Sequence, residues 1–296
     1  MKKFFWFFAL SFVVLLTSCL SNNDVDPAEA EKLKENEAAV KKYITDNSLT
    51  VKQDASGFYY NIDALNPTAK SPKVGDLVTM DFVIKKLTGE VVDSSRINQK
   101  IPYAYIFGVY NNLFNYPINL MKEGDKGIFL FPQLVSKGDP VKIEISLISS
   151  LGEDDNINKY IGTNYPTTNF FKSSTGLRYA ITTENPSGTA LLNGKTVTLK
   201  YTGRLLFDVR KTDTNNKLYY DSKFDEGTIS FTLGASQVVP GFEEAVSKLK
   251  VGEKGIGIFP STLGYSTSGS YNQATGNYVI PPYASLLFEM EVTAVK

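Results

Sequence analysis

The chain lacks histidine and has one cysteine, Cys19, among its 296 residues. These absences exclude Ser/His/Asp and Cys/His catalysis, disulfides within the chain and most zinc sites. Neither sign of charge is in excess, because 31 basic residues balance 31 acidic ones, and no long basic run points to nucleic acid. Any chemistry therefore uses carboxylates, lysine, tyrosine or hydroxyl groups, or no proton transfer. The sequence predicts no metal site and no cofactor.

The composition, 42% hydrophobic and 12% aromatic residues, is that of a folded protein, and the length suits two domains. Much of the first half recurs in the second half. The recurring pairs are Tyr43-Ile44 and Tyr160-Ile161, Gly75 and Gly194, Asp81-Phe82 and Lys200-Tyr201, and KEGDKGIFLFP (122–132) and KVGEKGIGIFP (250–260). A repeat of this length predicts two whole domains rather than a solenoid.

The amino terminus combines two lysines, an apolar stretch and the lone cysteine. Lys2-Lys3 precede an apolar stretch, residues 4–16, that is too short to span a bilayer of roughly 30 Å. The following LTSC (16–19) resembles a lipobox, in which bacteria attach diacylglycerol to the cysteine sulfur and cleave just before it. An ordinary cleavage site is the alternative. We therefore predict a signal peptide at 1–18 and a lipid anchor at Cys19.

Localisation is predicted to be the bacterial cell envelope. Leu20 follows the cysteine in place of the aspartate that retains many lipoproteins at the inner membrane, which favours the outer membrane. Either the periplasmic or the surface face fits. Residues 19–26 are polar and faintly acidic and form a tether in this interpretation.

The domain boundaries follow from composition and helix signals. Asp26-Pro27 supplies an N-cap aspartate and a proline at the first helical position, which predicts an amino-terminal helix at 27–48. This helix either packs on the next domain or mediates dimerisation, and the oligomeric state stays open. The first domain is expected at 49–151, a polar, acidic linker at 152–158 and the second domain at 159–296.

One stretch of the second copy combines a short helix with a long loop. In QVVPGFEEA (237–245), β-branched residues lead into Pro240-Gly241 and then into a helical run that ends before Gly252. A loop rich in Gly, Ser, Thr and Asn separates this helix from VIPPY (279–283). An apolar helix face beside such a loop favours a small apolar pocket.

Six short motifs follow one another in the second copy: LKYTG (199–203), YDS (220–222), FTLG (231–234), QVVPGFEEA (237–245), LKVGEKG (249–255) and VIPPYASLLFEMEV (279–292). Their order resembles that of the FKBP-type peptidyl-prolyl isomerases. The resemblance implies an α+β fold of two FKBP-like domains. Each would be a twisted antiparallel half-barrel sheet wrapped around a short helix.

The chemistry of such an isomerase suits a chain without histidine. Rotation about an X-Pro bond faces a barrier of about 18 to 20 kcal/mol, set by amide resonance. Resonance separates charge, so an apolar cavity that strips water from the amide favours the twisted state. No side chain has to exchange a proton.

The resemblance also implies which residues form the site. The catalytic set is Tyr201, Asp221, Val239, Phe242 and Phe288. In this set Phe242 is the floor, the Val239 N–H holds a substrate carbonyl and Asp221 is the polar wall. The substrate-binding set is Tyr220, Phe231, Gln237, Val238, Tyr265, Val279 and Ile280.

Two departures from the family pattern predict weaker catalysis. The usual Tyr-Gly after the proline-terminated strand is reversed to Gly264-Tyr265, and Ile229 replaces an aromatic residue. Taken alone, each apolar residue of the set is typical of plain core, and Asp221 is typical of a turn aspartate.

The first copy has lost parts of this site. After Phe131-Pro132 it has neither the long loop nor VIPP, and NNLFNYPINL (111–120) stands where the second copy has VVPGFEEA. Phe82 and Asp93 are expected to match Tyr201 and Asp221. An aromatic run is either a binding surface or, as we favour, core: Tyr103, Tyr105, Phe107, Tyr110, Phe114 and Tyr116. The first copy is predicted to be inactive.

The sequence thus predicts a lipid-anchored peptidyl-prolyl cis-trans isomerase that assists the folding of envelope proteins. Its partners would be proline-containing polypeptide segments and the membrane, with no nucleic acid. The alternative is a non-catalytic FKBP-like chaperone or binding lipoprotein that uses both domains as docking surfaces.

Overall fold

The computed structural model of the protein describes residues 27–95, 102–109, 113–133, 138–215 and 217–296, so Cys19 and the predicted tether lie outside it. The helices are α1 (Pro27–Asp46), α2 (Asn115–Leu120), α3 (Glu153–Asn164) and α4 (Pro240–Ser247), with a 3-10 turn at Ser261–Leu263. Within the described ranges, no helix combines the length and the apolarity needed to span a bilayer.

The strands of the first half are β1 (Lys52–Gln53), β2 (Tyr59–Asp63), β3 (Leu77–Lys86), β4 (Val91–Ser94), β5 (Tyr103–Ile106), β6 (Lys126–Phe131) and β7 (Val141–Leu151). Those of the second half are β8 (Phe171–Lys172), β9 (Arg178–Thr183), β10 (Thr196–Thr212), β11 (Leu218–Thr232), β12 (Lys254–Phe259), β13 (Ser270–Asn272), β14 (Asn277–Ile280) and β15 (Leu286–Val295).

The strands form two sheets and one hairpin. The first sheet has the order β1-β2-β6-β7-β3-β4, with β5 beside β3. The second has the order β11-β10-β15-β12-β9-β8, and β13 pairs with β14 in the hairpin. Both sheets are antiparallel, and equivalent strands are neighbours in both. The predicted α+β fold is confirmed.

Residues along a strand point alternately to the two sides of its sheet, and both sides of each sheet carry buried residues. In β15, Leu286, Phe288, Met290 and Val292 join the larger core of the second half, while Leu287 joins a separate cluster on the other side. We call the side of Phe288 the inner face and the side of Leu287 the outer face. α4 packs on the inner face, since Phe242, Ala245 and Val246 share the larger core.

The outer faces are covered by the helix that precedes each sheet. α3 places Ile157 against Leu206, Ile258 and Leu287. In the first domain, α1 lies within the range predicted for the amino-terminal helix and places Val40 against Tyr59 and Leu130. Packing on its own domain is thus the observed contact of α1.

Residues 152–158, expected to be a linker, are instead the beginning of α3. Gly152 caps the helix, and Asn156 and Ile157 are buried. Acidic residues stabilise the first turn of a helix, because its free N–H groups carry partial positive charge. The polarity of GEDD therefore reflects a helix start, and Ile157 with Tyr160 and Ile161 provides the apolar stripe.

The two domains touch through the loop before β15. The ring of Tyr283 lies on Gly75 of the first domain, where an added Cβ would come within 3.1 Å of the ring carbons. Gly75 has a positive φ of 93°, so glycine suits both the backbone and this close approach.

Candidate active site

The candidate site is an aromatic basin between α4 and the inner face of the second sheet. Phe242, on the first turn of α4, is 4% exposed and forms the floor. Its ring centroid lies 4.7 Å from that of Phe288, 5.7 Å from Tyr201 and 6.0 Å from Phe231. Edge-on and tilted packing of this kind is favourable for aromatic rings. Four predicted site residues therefore come together.

A fifth aromatic residue, Phe224, completes the wall. Its ring packs edge-on against Phe288 at 5.6 Å. Gly203 makes this possible, since a Cβ there would meet Phe224 at 2.6 Å and Phe288 at 2.9 Å. Phe224 is absent from the predicted site, although Phe224-Asp225 has the same aromatic–aspartate pattern as Tyr220-Asp221 four residues earlier.

The polar group of the basin is the pair Tyr201 and Asp225. The Tyr201 hydroxyl donates a 2.7 Å hydrogen bond to the Asp225 carboxylate. Burial chiefly, then this hydrogen bond and the charge of Asp225, and finally the neighbouring phenol of Tyr265 raise the pKa of Tyr201 to about 12. The Tyr201 phenol thus stays protonated at neutral pH.

Asp221 does not form the predicted polar wall. Its carboxylate accepts hydrogen bonds from the Lys211 ammonium at 3.1 Å and the Lys223 N–H at 3.0 Å. It also lies 4.0 Å from Arg204, which pairs with Glu289. Because Glu289 follows Phe288 in β15, its side chain is on the outer face, and Asp221 shares this outer charge cluster.

The charge cluster shifts the pKa of Asp221. Burial raises the pKa, but the Lys223 N–H, the Lys211 ammonium and the Arg204 charge outweigh it and bring the pKa below the usual range. Asp221 is therefore a structural carboxylate. It lies where residues 209–212 of β10 pair with residues 218–221 of β11, a part of the strand pair that we call the arm.

Tyr220 is also outside the basin. It pairs across the arm with Arg210, whose guanidinium donates to both carboxylate oxygens of Asp93 at 2.8 and 3.2 Å. The reason is a register shift: Arg204 is opposite Lys223, whereas Val209 is opposite Asp221. The extra residues of β10 redirect the arm towards the first domain.

The N-cap residue of α4 provides one candidate backbone donor. Val239 has extended backbone angles and is the N-cap, and its carbonyl accepts from the N–H groups of Phe242 and Glu243. No acceptor for the Val239 N–H occurs among the described residues. The donation of this N–H to a substrate carbonyl stays a prediction. The side chains of Val238 and Val239 are half-buried beside the core.

The remaining predicted residues are partly exposed and partly structural. Tyr265 and Val279 are 37% and 42% exposed, and their place on the rim stays a prediction. Ile280 is corrected from rim to core, because strand alternation in β14 buries it to 2% exposure. The Gln237 side chain accepts from the Thr232 N–H at 2.8 Å, which fixes the turn between β11 and α4.

Among the described residues, no three acidic or cysteine side chains cluster as potential ligands. What the arrangement offers is an apolar surface, one phenol–carboxylate pair and a backbone donor.

The equivalent region of the first domain is filled by its own side chains. Phe82, at the position of Tyr201, packs against Phe114 at 4.7 Å and Tyr103 at 5.6 Å. Ile84 occupies the position of Gly203 and is 7% exposed. As predicted, most of the aromatic run is core: Tyr105, Phe107 and Phe114 are buried, Tyr103 is half-buried and Tyr116 is 52% exposed, while Tyr110 lies outside the described residues.

The register also corrects the match between acidic residues. Ile84 is opposite Asp93, and Gly203 is opposite Asp225. Asp93 therefore corresponds to Asp225 rather than to Asp221. Since Phe82 has no hydroxyl, Asp93 is paired with Arg210 of the second domain instead.

Comparison with known proteins agrees with this geometry. The model of the FKBP-type peptidyl-prolyl cis-trans isomerase family matches residues 188–293. FK506-binding protein 1B of Aspergillus fumigatus is 35% identical over 103 residues, covering 35% of this chain and 80% of that protein. The FK506-binding protein of Neisseria meningitidis serogroup B is 34% identical over 109 residues, covering 36% of this chain and 86% of that protein.

A solved structure, that of FkpA from Escherichia coli, is 26% identical with a TM-score of 0.36 and covers 49% of this chain and 59% of that one.

An antiparallel sheet around a short helix, with an aromatic basin between them, defines the class of fold. The chain belongs to the FKBP-type peptidyl-prolyl cis-trans isomerase family, as the motif order predicts.

Proposed function

We propose that the second domain catalyses cis–trans isomerisation of X-Pro bonds in polypeptides, and that the protein assists folding while lipid-anchored in the bacterial envelope. The observation that carries the proposal is the basin formed by Phe242, Phe288, Tyr201 and Phe231 beside the unpaired Val239 N–H. Family membership supports the isomerase class.

In this mechanism the prolyl ring packs on Phe242, between Tyr201 and Phe288. The Val239 N–H holds a substrate carbonyl, and the rim residues Tyr265 and Val279 flank the chain. Removal of water from the amide destabilises the resonance form, because that form separates charge. Each tenfold acceleration needs about 1.4 kcal/mol off the barrier.

Asp225 takes the polar role expected of Asp221. Its carboxylate accepts the hydrogen bond of the Tyr201 hydroxyl and so fixes the orientation of this phenol beside the basin.

A protease-coupled proline isomerisation assay on the purified full chain tests the activity. A catalysed rate that grows in proportion to protein concentration is expected. Phe242→Leu should weaken it, because a shorter side chain leaves the prolyl ring without a floor. Glu291→Gln, at a half-buried residue on the outer face that pairs with Lys254, is the control and should leave the rate unchanged. Absence of any catalysed rate in a folded protein would favour the non-catalytic binding role.

The anchor and the location rest on the lipobox and the lone cysteine. Cys19→Ala should leave an uncleaved precursor that incorporates no labelled fatty acid in bacterial cells, and Ser18→Ala is the control that keeps the acceptor sulfur. Equal labelling of both variants would exclude Cys19 as the anchor. Density fractionation of the labelled protein then separates inner-membrane from outer-membrane attachment.

A further inference from the structure

The loop that carries Tyr265 is held at both ends by one carboxylate of α3. Glu153 Oε1 accepts a 2.8 Å hydrogen bond from the Ser261 hydroxyl. Glu153 Oε2 accepts from the Ser261 N–H and, at 3.2 Å, from the Ser285 hydroxyl. Ser261 follows β12 and Ser285 precedes β15, so Glu153 joins the two ends of the long loop between these strands.

The same contact sets the turn that contains Tyr265. The Ser261 carbonyl accepts from the N–H groups of Gly264 and Ser266, both at 2.8 Å. The Ser266 carbonyl in turn accepts a 2.8 Å hydrogen bond from the Tyr283 N–H, which ties the turn to the second half of the loop. Tyr265 lies close enough to Tyr201 to raise the pKa of that phenol. The position of Tyr265 thus depends on where Ser261 is held.

A carboxylate suits this junction better than any neutral side chain. Ser261 and Ser285 are 2% and 5% exposed, so their donors have little access to water. Three donors converge on two oxygens, whereas a glutamine would offer one acceptor oxygen and an NH2 group that donates instead of accepting. Buried polar groups without partners are disfavoured.

The first domain uses the equivalent position differently. The recurrence of Tyr43-Ile44 as Tyr160-Ile161 aligns Asn36 with Glu153. The Asn36 amide donates to the Gly138 carbonyl at 2.7 Å, which ties α1 to the short segment after β6. In both domains, therefore, the preceding helix holds the segment that follows this strand, and in the second domain that segment is the loop beside the basin.

Glu153 is not needed to attach α3 itself. The guanidinium of Arg178, which is 4% exposed, donates to Asp154 and to the Gly176 carbonyl. Ile157 packs beneath the helix with no exposure. Removal of the Glu153 charge should therefore affect the loop while leaving α3 in place.

We infer that Glu153 is a positioning residue for the isomerase site: from α3 it fixes the loop that places Tyr265 on the rim of the basin. This inference rests on the proposed isomerase function for its catalytic consequence, but the control of the loop stands without it.

The test compares Glu153→Gln with Asp155→Asn in the full chain. Asp155 is in the same helical turn and makes one long contact, 3.8 Å to Lys70, so it controls for the loss of an acidic charge. Glu153→Gln should raise amide hydrogen exchange across residues 261–285 about tenfold, with β10 and β12 unchanged, and should lower kcat/KM about tenfold. Asp155→Asn should change neither quantity.

Combination with Tyr265→Phe distinguishes positioning from general damage. If Glu153 acts through Tyr265, Glu153→Gln should lower kcat/KM much less in the Tyr265→Phe background than in the wild type. Equal losses in both backgrounds, or unchanged exchange in Glu153→Gln, would overturn the inference. A wild-type protein without isomerase activity would refute the proposed function, and the exchange measurement would still decide the role of Glu153.

Discussion

The main sheets of the two domains have the same order of equivalent strands, but their inner faces are packed differently. In the first domain Ile84 is buried at the position that Gly203 occupies in the second. A buried aliphatic side chain adds to the core, because each buried methylene contributes about 0.8 kcal/mol. The glycine of the second domain instead leaves room for the rings of Phe224 and Phe288, which form the wall of the basin.

The acidic residue at this position shows the same contrast. Asp225 fixes a phenol inside its own domain, whereas Asp93 binds Arg210 from the other domain. Likewise, the segment after β12 is a long loop beside the basin, while β6 and β7 are separated by residues 132–140 alone. The first domain thus uses for packing and domain contact the positions that the second uses for a site.

The largest expected difference is between the isolated domains. A fragment of residues 152–296 should retain isomerase activity, and a fragment of residues 27–151 should be at least about 100-fold less active, since its basin is filled. A third fragment, residues 159–296, lacks the carboxylate that pairs with Arg178 and also lacks Glu153 and the buried Ile157. It should be less stable than the 152–296 fragment by more than about 3 kcal/mol, because a buried aliphatic side chain and the partners of buried polar groups are lost together. Chemical denaturation and the coupled assay measure both effects, and comparable turnover by the two domains would contradict the comparison.

Truncation of Phe242, the floor of the basin, should have the next largest effect on stability and activity. Phe242→Ala should lower the free energy of unfolding by about 3 to 5 kcal/mol, because it leaves a cavity in the core. Phe242→Leu is milder and should reduce activity in a folded protein. Phe114→Leu is the matched change in the first domain and should reduce stability without reducing activity. If Phe114→Leu impaired catalysis as much as Phe242→Leu, the basin of the second domain would not be the site.

Substitution of the two candidate carboxylates, Asp225 and Asp221, should lower kcat/KM by clearly different factors. Asp225→Asn removes the charge that fixes Tyr201 and should lower kcat/KM about tenfold, or roughly 1.4 kcal/mol. Asp221→Asn alters the outer cluster with Lys211 and Arg204 and should change kcat/KM less than twofold. The reverse order of effects, measured in the coupled assay, would return the polar role to Asp221.

The smallest expected effect is that of pH. The catalysed rate should be nearly flat between about pH 6 and 9, since the chain has no histidine and the Tyr201 pKa is raised to about 12. Because the folded protein favours the protonated phenol, this group contributes stability below its unfolded pKa near 10, which is lost as pH rises towards 12. A bell-shaped profile centred near neutrality would indicate acid–base catalysis instead.

Residue order alone was enough to predict the family, the internal repeat and the contrast between the two copies. These features depend on local patterns: strand alternation, the helix start at Val239–Pro240 and Gly252, before which the helical run ends. Tyr201, Phe231, Phe242 and Phe288 were identified in the same way, because each lies in a motif with fixed spacing.

Asp225, Phe224 and Glu153 could not be assigned to the site in this way. Two aromatic–aspartate pairs stand four residues apart, and the register shift in β10 determines which pair faces the basin. Pairing between strands depends on contacts across the whole sheet rather than on neighbours in sequence. The acidic run at Gly152 has the composition of a linker. It instead begins a helix, because Ile157 is buried on the outer face of the folded sheet. That helix brings the Glu153 carboxylate to the loop that carries Tyr265.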